Sequence, residues 1–458
     1  MQDSSSEAVS ERSAAVPRFG ALLKEGQSAL LAAPTGVTRV AAPGARLWRN
    51  RNFNVFWAGQ TLSVLGDAFA AIAIPLLVLQ ATGSVALMGL VTAVFGLSQV
   101  VMGPFAGWLA DRLDRRRVMI FCDVGRTLLY FSIPLGWWLA GPQLWLIFAV
   151  VALGSALGMV FQVTYITAIS NLVDPDQLSD ANSRLQGAQA IAFILGPILA
   201  GLISGAFGPS VAIIVDSLSF AASAVSILLI RLRPVAQIAP QDLLRADTPL
   251  PESETRARGG LKQEFLAGLH FLWQQPVLRS LTVLLFLNGL LSAGALDIFI
   301  FYIKHDLGQS DSVVGLVFGL ASIGGVVAGV LTPRLRRNLG FAVCWLAGTI
   351  LEFSSLSLIG VSVNLLLIGL LATVFTFTST LTAICSISLR QQITPDYLLG
   401  RVTSAFWTLT SSPAPLGAAL FTALAGHSGA AIVLGIIGVG GALISAAGFF
   451  TPIRQQRA

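Results

Sequence analysis

The chain has 458 residues, of which 55% are hydrophobic and only 11% are charged, and its mean hydropathy is +0.78. A soluble domain carries roughly 25% charged residues, so this composition excludes a water-soluble globular protein and predicts an all-α integral membrane protein. The formal net charge of +6 would suit nucleic-acid binding, but the distribution of the basic residues, described below, argues against that partner. The cysteines and histidines form no sequence cluster, so we expect no metal site.

Apolar runs long enough to cross a hydrocarbon core of about 30 Å as a helix recur along the chain. In helices of this kind every backbone polar group is satisfied within the helix. Before the first run, residues 1–45 start polar and become rich in Ala, Pro and Gly, so we expect a disordered tail rather than a secretory signal. Twelve transmembrane spans are predicted, with approximate limits 53–78, 85–110, 117–139, 144–170, 181–206, 209–230, 277–303, 312–333, 338–360, 363–389, 399–425 and 430–451.

Lysine and arginine are concentrated in alternate loops. The basic set flanks span 1 and lies in the 2/3, 6/7, 8/9 and 10/11 segments and at the C-terminus, whereas the opposite loops hold one basic residue, Lys304. Because cytoplasmic loops carry the excess of Lys and Arg, both termini are predicted to be cytoplasmic, in the cell (inner) membrane. This asymmetry also explains the basic charge without nucleic acid.

Two short patterns recur at nearly the same distance. Residues 175–178 (PDQL) return as 395–398 (PDYL), an offset of 220, and the pattern of 107–113 (GxLxxRL) returns at 329–335, an offset of 222. The agreement predicts an internal duplication with six helices per half, and parallel repeats of this kind are typical of transporters. The predicted units are a tail over 1–45, a six-helix bundle over 46–231, a cytoplasmic linker with an in-plane amphipathic helix over 232–276, a second pseudo-symmetric six-helix bundle over 277–452 and a tail over 453–458.

The stretch GWLADRLDRRR, residues 107–117, places six charges where span 2 leaves the membrane. Arginines there can anchor the cytoplasmic side of the membrane. Asp111, however, is an acid at the C-terminal end of span 2, where it opposes the helix dipole, so we expect it to have another partner. The stretch resembles the signature between helices 2 and 3 of the major facilitator superfamily, although Asp114 replaces its second glycine. The signature positions are Gly107, Asp111, Arg112, Arg115 and Arg116. The resemblance implies a fold of two helix bundles and a gating role for these residues.

Span 5 contains a second motif, which is similar to the antiporter motif of export members of that superfamily. Its residues are Gly187, Gly196, Pro197 and Gly201. Proline kinks a membrane helix and glycines permit close packing. With further stretches in span 1 and before spans 5 and 11, the chain resembles the drug:proton antiporter branch that includes macrolide efflux proteins and the enterobactin exporter.

Five acids fall inside predicted spans: Asp67, Asp123, Asp216, Asp297 and Glu352. Each costs roughly 2.5–3.5 kcal/mol at a helix centre, so we expect them to face the interior, to pair or to carry protons. In the family that the chain resembles, helices 1 and 7 line the cavity. Asp67 is therefore the first candidate for proton coupling and Asp297 the second, while Asp216 and Glu352, on peripheral helices, are interpreted as structural.

Asp123 lies three residues before Arg126 on one helical face. We assign this pair to the gating network, with a transport role as the alternative. Some polar residues of spans 4 and 10 are predicted to contact substrate, although their hydroxyls can instead bond to carbonyls of their own helix. These candidates are Gln162, Tyr165, Thr376, Ser379 and Thr380.

The predicted function is a monomeric secondary transporter, not an enzyme, that exports a small amphipathic compound in exchange for protons across the lipid bilayer. The proton gradient supplies the energy, so no cofactor is expected, and no phosphate-binding loop for a nucleotide is present in the sequence. A proton-coupled importer of a small metabolite with the same fold is the alternative within this class. A membrane-embedded enzyme or a receptor is the rival from another class, and it would need a nucleophile–base pair, a metal cluster or a large external domain.

Overall fold

The computed structural model describes Leu47 and residues 49–169, 171–174, 177–231 and 261–455. The predicted N-terminal tail and most of the predicted linker lie outside these ranges, as do residues 456–458. The described residues fold into helices without any β-strand, which confirms the all-α class. In chain order the α-helices are α1 (Arg51–Thr82), α2 (Val85–Arg112), α3 (Arg115–Ala140), α4 (Leu144–Ile169), α5 (Leu178–Phe207), α6 (Pro209–Leu229), α7 (Leu261–Gln274), α8 (Pro276–Ser292), α9 (Ala295–Phe301), α10 (Asp311–Val361), α11 (Leu365–Ile393), α12 (Asp396–Ser411), α13 (Ala414–Ser428) and α14 (Ala430–Ala447).

Polar caps and glycines set the ends of these apolar helices. The side chains of Asn50, Ser84 and Asn364 each accept a hydrogen bond from a backbone N–H in the first turn of the helix that follows. Such caps satisfy donors that have no partner within the helix. α1 ends at Gly83, whose φ of 66° is the left-handed conformation that glycine adopts without strain.

Ten helical stretches of the described residues are long and apolar enough to cross a membrane. The chain is therefore a multi-pass membrane protein. One stretch, α10, has 51 residues and consists of two helical segments that meet at a kink at Gly340. The predicted loop over 334–337 is wrong, because these residues are helical and the backbone breaks only at Gly340, with φ 79°.

Two predicted continuous spans are interrupted in the structure. The span predicted over 277–303 breaks between α8 and α9 at Ala293 and Gly294, where Gly294 has φ 79°. A π-helical turn, Tyr302–Asp306, then follows α9. The span predicted over 399–425 breaks between α12 and α13, where Pro413 provides no N–H for a continuous helix.

Helices pack mainly within two parts of the chain, which we call the first half (47–231) and the second half (261–455). In the first half α1 packs against α5 and α6, and α3 packs against α4 and α6. In the second half α10 packs against α11 and α14, and the amphipathic α7 packs on α12. The halves meet chiefly along two seams, α2 with α13 and α5 with α10.

The buried apolar cores show at which end the halves touch. We call the end with residues 112–117 and 334–337 the arginine-rich end, and the end with Gly141 and Gly429 the opposite end. Near the arginine-rich end each half has its own core, one around Phe56 and one around Trp345. Toward the opposite end a single core includes residues of both halves. The halves are thus joined at the opposite end and separate at the arginine-rich end.

The two halves repeat each other in local geometry. α6 and α14 start after Gly208 and Gly429, whose φ values are 88° and 95° and which are 221 residues apart. Arg115 donates to the side chain of Asn171, and Arg336 donates to that of Gln392, again 221 residues along the chain. The offset agrees with the value near 221 that the sequence patterns predict.

Candidate functional site

A cavity of about 490 Å³ lies in the first half, next to the seam with the second half. Its wall is mostly built by α1, α2, α3 and α4, and among the described residues the second half contributes Leu296 and Asp297. Apolar residues and polar or charged residues both line this wall, a mixture that can hold a small amphipathic molecule. The polar and charged lining residues are Gln60, Ser63, Asp67, Thr92, Gln99, Arg126, Tyr130, Ser155, Gln162, Tyr165, Gln189 and Asp297.

An ion pair joins α1 and α3 on this wall. Arg126 Nη2 donates to Asp67 Oδ1. The side chain of Asp67 is 48% exposed, while that of Arg126 is 8% exposed, so the carboxylate faces the cavity and the guanidinium lies behind it. Arg126 also places its Cζ 3.6 Å from the ring centroid of Phe220 on α6. An aromatic face of this kind stabilises a cation that is removed from water.

Two further acids lie beside this ion pair, away from the cavity. Asp216 on α6 and Asp123 on α3 have no solvent exposure. Gly66, the residue before Asp67, allows α6 to approach, because a Cβ at Gly66 would stand 2.7 Å from Asp216 Oδ1. Neither carboxyl group has a hydrogen-bond partner of regular geometry among the described groups.

The surroundings of Asp123 and Asp216 come from three helices. Asp123 interacts with Arg126, Asp67 and the hydroxyl of Ser223, and Ser223 in turn accepts a hydrogen bond of 2.8 Å from Gln60. Asp216 interacts with Asp67 and Arg126. We call Asp67, Asp123, Arg126 and Asp216 the carboxylate cluster, since it brings three carboxyl groups around one guanidinium.

Asp297 reaches the same cavity from the second half. It lies on α9, just after the break at Gly294, and is 1% exposed. Its neighbour across the seam is Thr92 of α2, although neither carboxyl oxygen has a partner of regular hydrogen-bond geometry among the described groups. Both acids that the sequence singled out for proton coupling therefore line one cavity.

Comparison with known proteins identifies the family. The Major Facilitator Superfamily profile matches residues 56–418. The chain belongs to this superfamily of transporters. The family resemblance noted in the sequence is thus confirmed.

Curated relatives of this transporter include efflux proteins. The chain is 26% identical to the multidrug efflux pump Tap of Mycolicibacterium fortuitum, over 80% of this chain and 87% of that protein. It is 21% identical to the enterobactin exporter EntS of Shigella boydii, over 84% and 90%. It is 26% identical to macrolide efflux protein A of Streptococcus pyogenes, where the match spans 39% of this chain and 44% of the relative.

A solved structure with the same fold is a bacterial homologue of the human lysosomal transporter Spinster, described as inward-facing and unoccupied. It superimposes with a TM-score of 0.68 at 14% identity and covers 89% of this chain and 98% of the homologue. The relatives and structural neighbours are transporters rather than enzymes. Among the described residues of this transporter, no group of three His, Cys, Asp or Glu side chains could hold a metal ion.

The signature residues of the transporter lie at the arginine-rich end. Arg115 donates to Asn171 Oδ1 at 3.4 Å, and Arg116 donates to the carbonyls of Ile227 and Leu228 at the end of α6. Asp114, the departure from the family signature, caps α3 by accepting a hydrogen bond from the N–H of Arg117. Arginine at a helix C-terminus and aspartate at an N-terminus both complement the helix dipole.

The other members of the signature are Gly107, Asp111 and Arg112. Arg112 is exposed at the end of α2, and the side chain of Asp111 lies outside the described residues. A Cβ at Gly107 would have no described atom within 4 Å. No close approach of another helix to Gly107 is therefore present among the described residues.

Asp123 and Arg126, which the sequence assigned to the gate, lie deeper along α3. They follow Arg115 by 8 and 11 residues, or about 12–17 Å of helix. Arg126 pairs with Asp67 on the cavity wall rather than with a group at the arginine-rich end. The structure places both residues in the carboxylate cluster.

The glycines of the α5 motif differ in their surroundings. A Cβ at Gly201 would stand against the backbone of Gly315 in α10, and one at Gly196 would meet Ala68 of α1. Pro197 contributes its carbonyl to the same contact with Gly315, whereas Gly187 has no atom within 4 Å of a Cβ. Pro197 and Gly201 thus lie at the seam between α5 and α10, whereas Gly196 packs on α1.

Of the predicted substrate contacts, Gln162 and Tyr165 line the cavity. The hydroxyl candidates of α11 lie elsewhere, where α11 meets α10. The hydroxyl of Thr376 donates to the carbonyl of Ala321, Ser379 interacts with Glu352, and the hydroxyl of Thr380 lies near Gly325. These groups serve the contact between the two helices, so the structure does not place them on the wall of this cavity.

Sequence reasoning missed the position of Asp216, because it treated α6 as a peripheral helix. A signal was available: α6 carries Asp216, Ser219, Ser223 and Ser226 at helical spacing, and α1 carries Gly59 and Gly66. A Cβ at Gly59 would stand against Ser226, and one at Gly66 against Ser219. Small faces on two membrane helices predict close packing between them.

Proposed function

We propose that the protein is a secondary active transporter that exports small amphipathic compounds in exchange for protons, by alternating access. The observation that carries the proposal is the Asp67–Arg126 ion pair on the wall of a cavity that both apolar and polar residues line. A carboxylate held there can exchange a proton or a charged substrate, while the apolar part of the wall accommodates the rest of the molecule. The efflux relatives support export of drug-, macrolide- or siderophore-like compounds.

Twelve membrane crossings in two pseudo-symmetric six-helix bundles fit this function. The break at Gly340 divides α10 into two segments that are each long enough to cross, and α12 with α13 together supply one crossing. With these assignments each half has six crossings. The repeated offset of 221 residues supports a pseudo-twofold relation between the halves, which is the arrangement that rocks in transporters with parallel repeats.

The arginine-rich end is assigned to the cytoplasm by the excess of Lys and Arg. Both termini are then cytoplasmic, and the protein acts as a monomer in the inner or cell membrane. The separate cores of the described halves at this end support an assignment of this conformation to the inward-open state of the cycle. The proton gradient is the energy source, and no cofactor is required.

At the opposite end several contacts keep the halves together in this state. The Gly201–Gly315 approach closes one seam, and Gly89 against Thr422 closes the other. Asp311 on α10 pairs with Lys304 and accepts a hydrogen bond of 3.1 Å from Gln80 of α1. In the alternate state these contacts open, and the signature at Gly107–Arg116 closes the arginine-rich end.

Asp67 and Asp297 line the cavity and are the first acids that a substrate or an entering proton meets. Protonation changes the charge of the wall and thereby the relative stability of the two states. Substrate binding on one side and proton release on the other then couple the two fluxes.

The test is transport in inverted membrane vesicles with a panel of a macrolide, a catecholate siderophore and a cationic dye. Wild type should accumulate at least one compound when a pH gradient is imposed, and Asp67→Asn should abolish this accumulation. Glu352→Gln is the matched control, because Glu352 is a residue of α10 that faces Ser379 and Thr382 of α11 and is not among the lining residues of the cavity. Unchanged accumulation by Asp67→Asn would contradict the role of Asp67, and flux in the other direction would favour the importer.

A further inference from the structure

The carboxylate cluster contains more acid than its single cation can balance. Arg126 remains charged in proteins, and one carboxylate is enough to neutralise it. The direct partner is Asp67. If Asp123 and Asp216 were also ionised, the cluster would have an excess of two negative charges in the apolar interior.

Burial decides which carboxyl groups are neutral. Asp67 is paired and reaches the cavity, so its ionised form is solvated on one side and compensated on the other. Asp123 and Asp216 are fully buried, and no described donor meets their oxygens with regular geometry. An ionised carboxylate without such donors is strongly disfavoured, and the group takes up a proton instead.

We propose that Asp123 and Asp216 are both protonated and that one of these two protons is the proton exchanged in transport. Arg126 controls its release by moving from Asp67 to one of these acids. This assignment rests on the proposed proton exchange and deepens it. Asp67 then acts as the exit group that faces the cavity, and Arg126 is the counter-ion that the three carboxylates share.

The geometry allows this change of partner over a short distance. Asp123 is one turn before Arg126 on α3, and Asp216 is one turn before Phe220, whose ring lies against the guanidinium. Gly158 of α4 leaves space around Arg126, since a Cβ there would stand 3.9 Å from Cζ and Nε. The ring of Phe220 can keep contact with the guanidinium while its carboxylate partner changes.

The proposed step is balanced in charge and in protons. One proton leaves the carboxyl O–H of Asp216 and is accepted by the Asp67 carboxylate, while the ion pair of Arg126 with Asp67 breaks and one with Asp216 forms. The net charge is unchanged until Asp67 releases the proton into the cavity. The other titratable groups of α3 near Arg126 are Tyr130 and Cys122, and Asp297 faces the cavity from α9.

Infrared spectroscopy of the purified full-length protein in detergent tests this directly, through the carbonyl stretch of protonated carboxyl groups. At neutral pH, Asp123→Asn/Asp216→Asn should lose carboxyl absorption relative to wild type. Adding Asp67→Asn to that variant should remove nothing further, because Asp67 is already ionised. No loss in the double variant, or a further loss in the triple variant, would overturn the proposal.

Control variants keep the result interpretable. Asp123→Asn and Asp216→Asn alone should each lose part of the absorption, so the test stands if the triple variant does not fold. Glu352→Gln identifies the contribution of an acid outside the cluster. The spectra need neither substrate nor gradient, so they locate the proton even if the vesicle assay shows an importer. If the spectra are as expected but the vesicle assay shows no proton-driven export, the proposed function is contradicted and the location of the proton is not.

Discussion

The two halves of the transporter have a similar pattern of buried helix positions, but they differ in the charged residues at those positions. A shift of 221 residues matches the buried positions of α6 with those of α14, and a shift of 222 matches α3 with the second part of α10 and Cys122 with Cys344. These shifts place Trp345 at the position of Asp123, Gly348 at that of Arg126 and Ile437 at that of Asp216. At these three matching positions the second half has no ionisable residue.

This difference separates what the fold needs from what transport needs. Both halves have an arginine contact at the arginine-rich end, Arg115 with Asn171 and Arg336 with Gln392. Both also have a glycine of positive φ directly before their last α-helix, Gly208 before α6 and Gly429 before α14. The ionisable residues Asp123, Arg126 and Asp216, by contrast, have no ionisable counterpart at the matching positions of the second half. We infer that the second half acts mainly as the moving partner of a site built on the first.

Removal of the cation of the cluster should have the largest effect. Arg126→Ala leaves Asp67 without its partner and exposes the ring of Phe220, and because the side chain of Asp67 is 48% exposed the cost stays below the roughly 3–5 kcal/mol of a fully buried pair. We expect loss of gradient-driven transport and a clear fall in thermal stability in detergent. Arg336→Ala, which removes an arginine of the second half, should retain transport, and equal losses in both variants would contradict the asymmetry.

A side chain at the seam between the halves should be next in effect. Gly201→Ala places a Cβ 2.7 Å from the backbone nitrogen of Gly315, and overpacking of this kind typically costs about 1–3 kcal/mol. The substitution should destabilise the inward-open state and lower transport. For Gly187→Ala in the same helix, where a Cβ would meet no atom within 4 Å, we expect unchanged or raised thermal stability. If Gly187→Ala lowered the thermal stability more than Gly201→Ala, the seam between the halves would not lie at Gly201.

Loss of the cap on α3 should have a smaller effect, limited to the first half. Asp114 caps α3, whereas the second half has a continuous helix through 334–337 and breaks only at Gly340. Asp114→Ala should lower the free energy of unfolding by about 1 kcal/mol, while Asp114→Asn should preserve it, because asparagine caps equally well. Thermal unfolding in detergent measures both, and an equal loss in Asn and Ala would point to the charge of Asp114 rather than the cap.

The repeated arginine contacts should matter least for stability. Arg115→Ala and Arg336→Ala each remove a hydrogen bond near the surface, for which we expect a loss of up to about 1 kcal/mol. If Arg115 also acts in the gate, its variant alone should lower the transport rate while both variants unfold at similar temperatures. Equal transport in the two variants would remove Arg115 from the gate.

The sequence predicts much of the scaffold because hydrophobicity and charge determine it locally. Apolar runs locate most crossings, and the two halves are visible from residues 175–178 and 395–398. The helix breaks at Gly294 and Gly340 could not be predicted from the sequence, because each depends on a single backbone angle. Glycine is frequent in membrane helices, and only some glycines adopt a positive φ.

The site was predicted less completely because it depends on how helices rotate against one another. Asp67 could be placed on the cavity from its helix, but its pairing with Arg126 requires the register of α1 against α3. Asp216 was assigned to a peripheral helix, and only the close packing at Gly66 brings it to the cluster. The hydroxyls near Thr376 resemble substrate contacts in sequence, yet they bond across helices or within their own helix.

The most direct test of the central claim, that the first half supplies the proton chemistry, compares two modes of transport in proteoliposomes. Substrate counterflow needs only binding and rocking, whereas accumulation driven by a pH gradient also needs proton exchange. For a compound that wild type exports, Asp123→Asn/Asp216→Asn should keep counterflow and lose gradient-driven accumulation, while Glu352→Gln keeps both. Accumulation that survives in the double variant and disappears in Glu352→Gln would contradict the account.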